Sequence, residues 1–367
     1  VWVGGLGSLI KMSRQPASFI TIQYLRGLAA LLVVWFHATM MTAFAEKEFW
    51  HCGRFGVDIF FVISGFIMWT TTAHTPRSPT NFWLARILRV VPLYWLFTFI
   101  FVLALLIDPE AVLNPRSIDI VFLARSLLFI PATDPSIGTI TPMLSVGWTL
   151  NFEMFFYVVF GAALLLSNAR LRAAAILGTF IALSTAGYLV QIDSPIWYTY
   201  TNPMLLEFGC GILIALSVHR IEKNPAWLGA TLIMLSLILF TISSIRSPVA
   251  SDIFSGIGAA FAVTGCLGLE RFVKQRPLRA VKFLGDASYS IYLAHPFAQR
   301  AAFLIAAKVM GSAILLEWYR SYIAFAFIVG AVGGSITYVL IEKSFLKFAR
   351  KTKSERSPPH EIPQAAE

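Results

Sequence analysis

Residues 26–37 read RGLAALLVVWFH, an arginine and a histidine enclosing ten residues of which nine are aliphatic or aromatic. On a helix, at about 100° per residue, eleven steps return to nearly the same face, about 16 Å further along. Arg26 and His37 therefore mark two ends of one stripe in an apolar helix. The guanidinium fork suits phosphate or carboxylate oxygens, and imidazole, with a reference pKa of about 6.5, can take a proton from a weak nucleophile such as a hydroxyl. A charged side chain at the centre of a bilayer costs roughly 2.5–3.5 kcal/mol on insertion scales. Ionisable residues inside spans are therefore read first as functional.

Two carboxylates extend this reading. Asp58, in GVDIFFVISGF, and Glu153, in WTLNFEMFFY, fall near the outer ends of their apolar runs, at the expected height of His37. A carboxylate beside an imidazole fixes its tautomer and stabilises the imidazolium, so the three are expected to form a general-base constellation. Arg86 and Arg89, in FWLARILRVVPLYW, are three apart and share a helix face at the level of Arg26. The three arginines are expected to make a phosphate-binding port. In LGDASYSIYLAHPF, His295 precedes Pro296, whose ring removes an amide donor and frees the Tyr292 carbonyl. His295 and Tyr289, with Trp148 and Asn151, are candidates for a channel or acceptor-binding wall. Glu207, in LLEFGCG, is a further carboxylate within a span, and its sequence context assigns it no role.

The elements that must position these residues are membrane helices. The chain has 367 residues, 57% hydrophobic and only 13% charged, with a mean hydropathy of +0.72. Soluble domains carry about a quarter charged residues, so an all-α polytopic membrane protein is expected. Apolar runs place about ten spans at 22–44, 55–72, 88–107, 148–167, 173–192, 201–218, 227–245, 252–269, 287–310 and 322–341. The run 118–130 is too short to cross and reads as an interfacial or re-entrant helix. FGCG (208–211) and GAVGG (330–334) predict close helix contacts. Twenty lysines and arginines fall on the side of the two termini and six on the other, so both termini are expected in the cytoplasm. The net charge of +10 is then topological, and no nucleic-acid partner is expected. Three cysteines imply neither a disulfide framework nor a metal site, and no metal is expected. HExxH, GxxxxGK[ST] and GxSxG are absent. The chain divides into an N-terminal cytoplasmic segment 1–20, a membrane domain 21–348 and a polar, proline-containing tail 349–367 expected to be disordered. Met12 is a plausible start, which would place 1–11 upstream.

The segments QYLRGLAALLVVWFHA, GRFGVDIFFVISGFIMW, ARILRVVPLYW, WTLNFEMFFY, LGDASYSIYLAHPF and IEKSF occur in the order found in acyltransferase family 3 membrane proteins. The chain resembles that family from Thr21 to Phe348. PLYW with WTLNFEMFFY is most similar to the branch that acetylates bacterial exopolysaccharides. The resemblance implies ten core helices in the bacterial cytoplasmic membrane. It also implies transfer of an acyl group, usually acetyl from cytoplasmic acetyl-CoA, to a sugar hydroxyl. Acyl-CoA would be a co-substrate, with no permanently bound cofactor, and the acceptor a polysaccharide or lipid-linked oligosaccharide. The resemblance matches His37 to the family's catalytic histidine, and Arg26, Arg86 and Arg89 to arginines implicated in donor binding. Two departures stand out: Met154 where many members carry a second acid, and AHPF where many carry WHWP. A transporter or flippase of a polysaccharide precursor is the alternative reading, but it predicts internal repeats that the sequence does not display.

Overall fold

The computed structural model describes residues 19–40, 53–72, 78–109, 112, 116–243, 248–310 and 319–348, with side chains for all of these except 248–251, 310 and 319. Most of the expected N-terminal segment and the whole 349–367 tail lie outside the described residues. The described residues form helices and no strands. In chain order these are α1 (Ile20–Met40), α2 (Gly53–Thr72), α3 (Pro79–Ile107), α4 (Ile120–Leu127), α5 (Trp148–Ala163), α6 (Ala169–Leu189) and α7 (Pro195–Tyr200). There follow α8 (Leu205–Ile221), α9 (Ala226–Ser243), α10 (Pro248–Gly268), α11 (Glu270–Val273), α12 (Arg279–Asp286), α13 (Ser288–Met310) and α14 (Tyr319–Thr337). A π-helical turn, Tyr338–Glu342, continues α14.

Every expected span falls on a helix, and eight helices among the described residues are long and apolar enough to cross a membrane. The other two expected spans correspond to α10, which contributes a shorter apolar helix from Asp252 to Gly268, and to α13, which carries His295, Arg300 and Lys308. The chain is an all-α, multi-pass membrane protein. Local chemistry sets many of the helix starts. Ser78 caps α3 with Pro79 in the first turn, Asp119 caps α4 and Asn168 caps α6, each accepting a backbone N–H that the helix leaves open.

α1 lies at the centre, packed on α2, α10, α12, α13 and α14. Its first turn is capped from a distance. The Glu270 carboxylate accepts from the backbone N–H groups of Ile20 and Thr21, both at 2.8 Å, and from the Thr21 hydroxyl at 2.6 Å. Replacing Glu270 with alanine should therefore remove about 1–3 kcal/mol. The measurement is thermal unfolding in detergent, where glutamine, retaining one acceptor, should fall between alanine and wild type. An unchanged melting temperature for the alanine variant would contradict this role.

Glycine permits the closest crossings. A Cβ at Gly65 of α2 would lie 2.0 Å from the Phe208 carbonyl oxygen, and one at Gly211 of α8 would lie 2.0 Å from that of Val62. Small residues in membrane helices allow this backbone approach, as FGCG predicted. Gly330 and Gly334 of α14 likewise face Gln299 and Ile291 of α13.

Between α3 and α5 the chain forms the expected short helix α4, whose Ile120 and Val121 are exposed, as is Leu128 just past its end. Beneath it, Arg116 and Asp134 make a buried ion pair at 2.7 Å. Arg116 also donates to the carbonyls of Pro142 and Met143 at 2.7 and 2.9 Å, and to the Ser145 hydroxyl. Burial lowers the Arg116 guanidinium from its ordinary value, and the Asp134 charge opposes that shift. This network fixes the entry to α5, on which Glu153 stands.

Candidate active site

A cavity of about 320 Å³ opens among α1, α2, α3, α5 and α13. Its polar wall includes Arg26, Arg86, Arg89, Glu153, Tyr157 and Tyr289. Arg26 donates to the Ser288 hydroxyl at 2.9 Å and the Gln23 side chain at 3.3 Å. Arg86 lies over the Phe82 ring at 5.9 Å. The Tyr289 hydroxyl donates to the Val90 carbonyl at 2.7 Å, tying α13 to α3. The three arginines expected to share a site thus do share one, drawn from two helices.

Glu153 sits with these arginines. Its Oε1 accepts from the Ser64 hydroxyl at 3.3 Å and from the Tyr157 hydroxyl. Ser64 lies six residues beyond Asp58 on α2, about 9 Å deeper by helix rise. The expectation that Glu153, Asp58 and His37 share one height is therefore corrected. Glu153 belongs to the arginine cavity.

Asp58 also faces elsewhere. Gly56 of α2 packs against Ala29 and Val33 of α1, and Asp58, two residues on, is rotated about 200° away from that contact. It points to Glu207 of α8 and Ser255 of α10. Asp58 and Glu207 are buried, and each retains one carboxylate oxygen without a hydrogen bond among the described residues. Asp58 is therefore not the carboxylate that orients His37.

His37 has different neighbours. Its Nδ1 lies 2.9 Å from the Val33 carbonyl oxygen. Because a carbonyl only accepts, Nδ1 carries the proton and Nε2 keeps its lone pair. Its ring packs edge-on against His295 of α13, with centroids 4.8 Å apart and planes at 61°. His295 is fully buried, its Nδ1 lies 3.0 Å from the Ile291 carbonyl, and its Nε2 has no hydrogen-bond partner among the described residues. The backbone of Tyr292, whose carbonyl Pro296 leaves open, also borders the His295 ring. The Arg26–His37 stripe thus faces α13 at both ends, through Ser288 and His295.

Tyr292 stands between the two regions. Its ring lines the cavity, 6.2 Å from Phe60 on one side and 6.4 Å from His295 on the other. Its hydroxyl meets the Val146 carbonyl and the Thr149 hydroxyl, the latter at 2.8 Å. His37 and His295 are not part of the cavity lining. Neither are Trp148 and Asn151: Trp148 packs on Phe152 at 5.9 Å, and Asn151 is buried with an Oδ1 that has no hydrogen-bond partner among the described residues.

Sequence reasoning missed several polar neighbours. Tyr157 is one helical turn from Glu153, a spacing that signals contact. Ser64 and Ser288 carry no such signal. Glu342, on the π-helical turn, is buried, accepts from the Ser290 hydroxyl at 2.5 Å and lends its charge to Arg26. An extra residue per turn is not legible in an apolar run, although such turns concentrate at functional sites. Among the described residues, no group of three metal-ligating side chains converges.

A family model described as an acyltransferase domain matches residues 19–340. The exopolysaccharide production protein ExoZ of Rhizobium meliloti is 38% identical over 310 residues, covering 83% of this chain and 94% of that protein. Peptidoglycan O-acetyltransferase OatA of Listeria monocytogenes is 26% identical over 75% of this chain, and the putative peptidoglycan O-acetyltransferase YrhL of Bacillus subtilis is 26% identical over 74%. The chain spans only about half of these two proteins, 48% and 47%. No solved structure matches.

Proposed function

Because this chain belongs to the acyltransferase family whose model spans residues 19–340, we propose that it is an O-acetyltransferase of the bacterial cytoplasmic membrane. It moves an acyl group, acetyl by preference, from cytoplasmic acyl-CoA to a hydroxyl of an exopolysaccharide or other cell-surface glycan. The observation that carries this reading is the stripe on α1. Arg26 at one end joins Arg86 and Arg89 in a cavity, and His37 stands about three turns further on.

Three guanidinium groups in one pocket supply forked donors for the phosphates and polar linkages of acyl-CoA. At about 320 Å³ the cavity is at the small end of ligand pockets, roughly 300–1,000 Å³. It accepts the acyl-pantetheine end, with the nucleotide at its cytoplasmic mouth. The acyl group must then pass Tyr292 to meet His37, so displacement of that ring accompanies transfer. There, the acceptor hydroxyl gives its proton to His37 Nε2 as its oxygen attacks the thioester carbonyl. The carbon–sulfur bond breaks, and the departing thiolate takes up the proton to give CoA thiol and the glycan ester.

Labelled acetyl-CoA supplied to the purified protein in lipid, with a glycan acceptor, tests the reading. Label in an ester on the glycan is the expected result, whereas passage of unlabelled glycan would support a transporter.

The topology is tested separately. The charge asymmetry argues for both termini in the cytoplasm and the 109–144 connection outside. A cysteine at exposed Thr133 should react with an impermeant reagent applied to intact cells, and one at Ser354 should not. Reaction at 354 with protection at 133 would reverse the orientation.

A further inference from the structure

The proposed reaction leaves His37 without the carboxylate that usually supports a catalytic imidazole. Asp58 turns to α8 and α10, and Glu153 stands in the arginine cavity. The ring packed on His37 is another imidazole. Both rings are anchored alike, each through Nδ1–H on the carbonyl four residues back, Val33 for His37 and Ile291 for His295. That anchoring leaves both Nε2 lone pairs open, and the one on His295 is buried without a partner among the described residues. An unpaired buried acceptor is costly in the resting state, so its presence calls for a functional reason. In the resting protein His37 Nε2 has no proton to donate. After the base step it does.

Resting on the reading above, we propose that His37 and His295 form a two-imidazole base, in which His295 Nε2 accepts a hydrogen bond from the protonated His37 ring. The proton balance is simple. The acceptor O–H bond breaks and its proton moves to His37 Nε2, while the oxygen bonds to the thioester carbon. The resulting imidazolium has two N–H groups, one held by Val33 and the other shared between the reacting groups and His295 Nε2. The same proton then leaves His37 for the thiolate sulfur as the carbon–sulfur bond breaks, and both rings return to their starting state. His295 takes no net proton, so it is a positioning residue that stabilises a charge present only during transfer. Ring centroids 4.8 Å apart at 61° suit a contact through ring edges rather than a stacked packing pair. Gln299 holds the two helices at this spacing, its amide donating across from α13 to the Val34 carbonyl of α1 at 2.9 Å.

The test compares His295→Phe and His295→Gln in proteoliposomes. A hydrogen bond to a charged group that exists only in the transition state appears in kcat. His295→Phe keeps a ring but no lone pair and should lower kcat about 10- to 100-fold, with KM for acyl-CoA unchanged. His295→Gln, whose carbonyl still accepts, should recover part of the loss. Wild-type kcat in the phenylalanine variant would overturn the proposal, as would an equal loss in both variants. Nitrogen-15 spectra of histidine-labelled wild-type protein supply an answer even if the variants fail to fold. The assigned rings of His37 and His295 should both carry their resting proton on Nδ1, and a proton on Nε2 of either would overturn the pairing. Failure of the acyltransferase reading itself looks different, because wild-type protein would then form no glycan ester.

Discussion

Replacing His37 with alanine should abolish glycan acylation while leaving the protein inserted and able to bind acyl-CoA. A sugar hydroxyl is a weak nucleophile at neutral pH, and positioned proton transfer contributes roughly 10²–10⁴-fold in rate. The structure supplies the positioning. The Val33 carbonyl fixes the proton on Nδ1, so Nε2 presents its lone pair. Glutamine at position 37 retains hydrogen-bonding capacity but no basic nitrogen, and should be as inactive as alanine. The side chain is only part-buried, so truncation removes little packing. Unchanged acylation by a well-folded His37→Ala protein would remove His37 from the chemistry.

Replacing Arg86 or Arg89 with alanine should raise KM for acyl-CoA roughly 10- to 100-fold, with little change in the concentration dependence on the acceptor. This is the size expected for loss of one charge-assisted contact to a phosphate. Both side chains reach the cavity from α3, seven and ten residues into a helix of 29. Lysine should restore only part of the affinity, because it keeps the charge but lacks the planar fork. If Arg86→Ala and Arg89→Ala bind acyl-CoA as the wild type does, the arginines serve folding or topology instead.

The parts of this site that could be read from the sequence are those set by spacing along one helix. Eleven residues put Arg26 and His37 on one stripe, and three put Arg86 and Arg89 on one face. The structure turns the first pair to α13 and the second into the cavity. Likewise, FGCG and GAVGG announced close helix contacts, which the structure places between α2 and α8 and between α13 and α14. What spacing cannot give is the rotation and depth of one helix against another. A span such as GVDIFFVISGF is apolar all round, so nothing in it says which face meets α1. Gly53 and Gly56 decide the matter by admitting α1 closely, and Asp58 is thereby turned to Glu207. Depth failed for a similar reason. Glu153 is near the start of α5, but the neighbouring side chains that hold it, Ser64 and Tyr157, lie deeper in the bundle. His295 was legible as a polar group beside a proline, whereas its pairing with His37 required the packing of α13 on α1.

In the proposed function, one protein takes an acyl group from CoA at the arginine cavity and delivers it to a glycan hydroxyl at His37. The most direct test of this transfer uses vesicles carrying the protein in one orientation, with labelled acetyl-CoA on the face bearing the chain termini and the glycan acceptor on the opposite face. The expected result is label in a base-labile ester on the glycan, absent with His37→Ala and, at limiting acetyl-CoA, strongly reduced with Arg86→Ala. Glycan that crosses or remains without label, while acetyl-CoA stays intact, would contradict it.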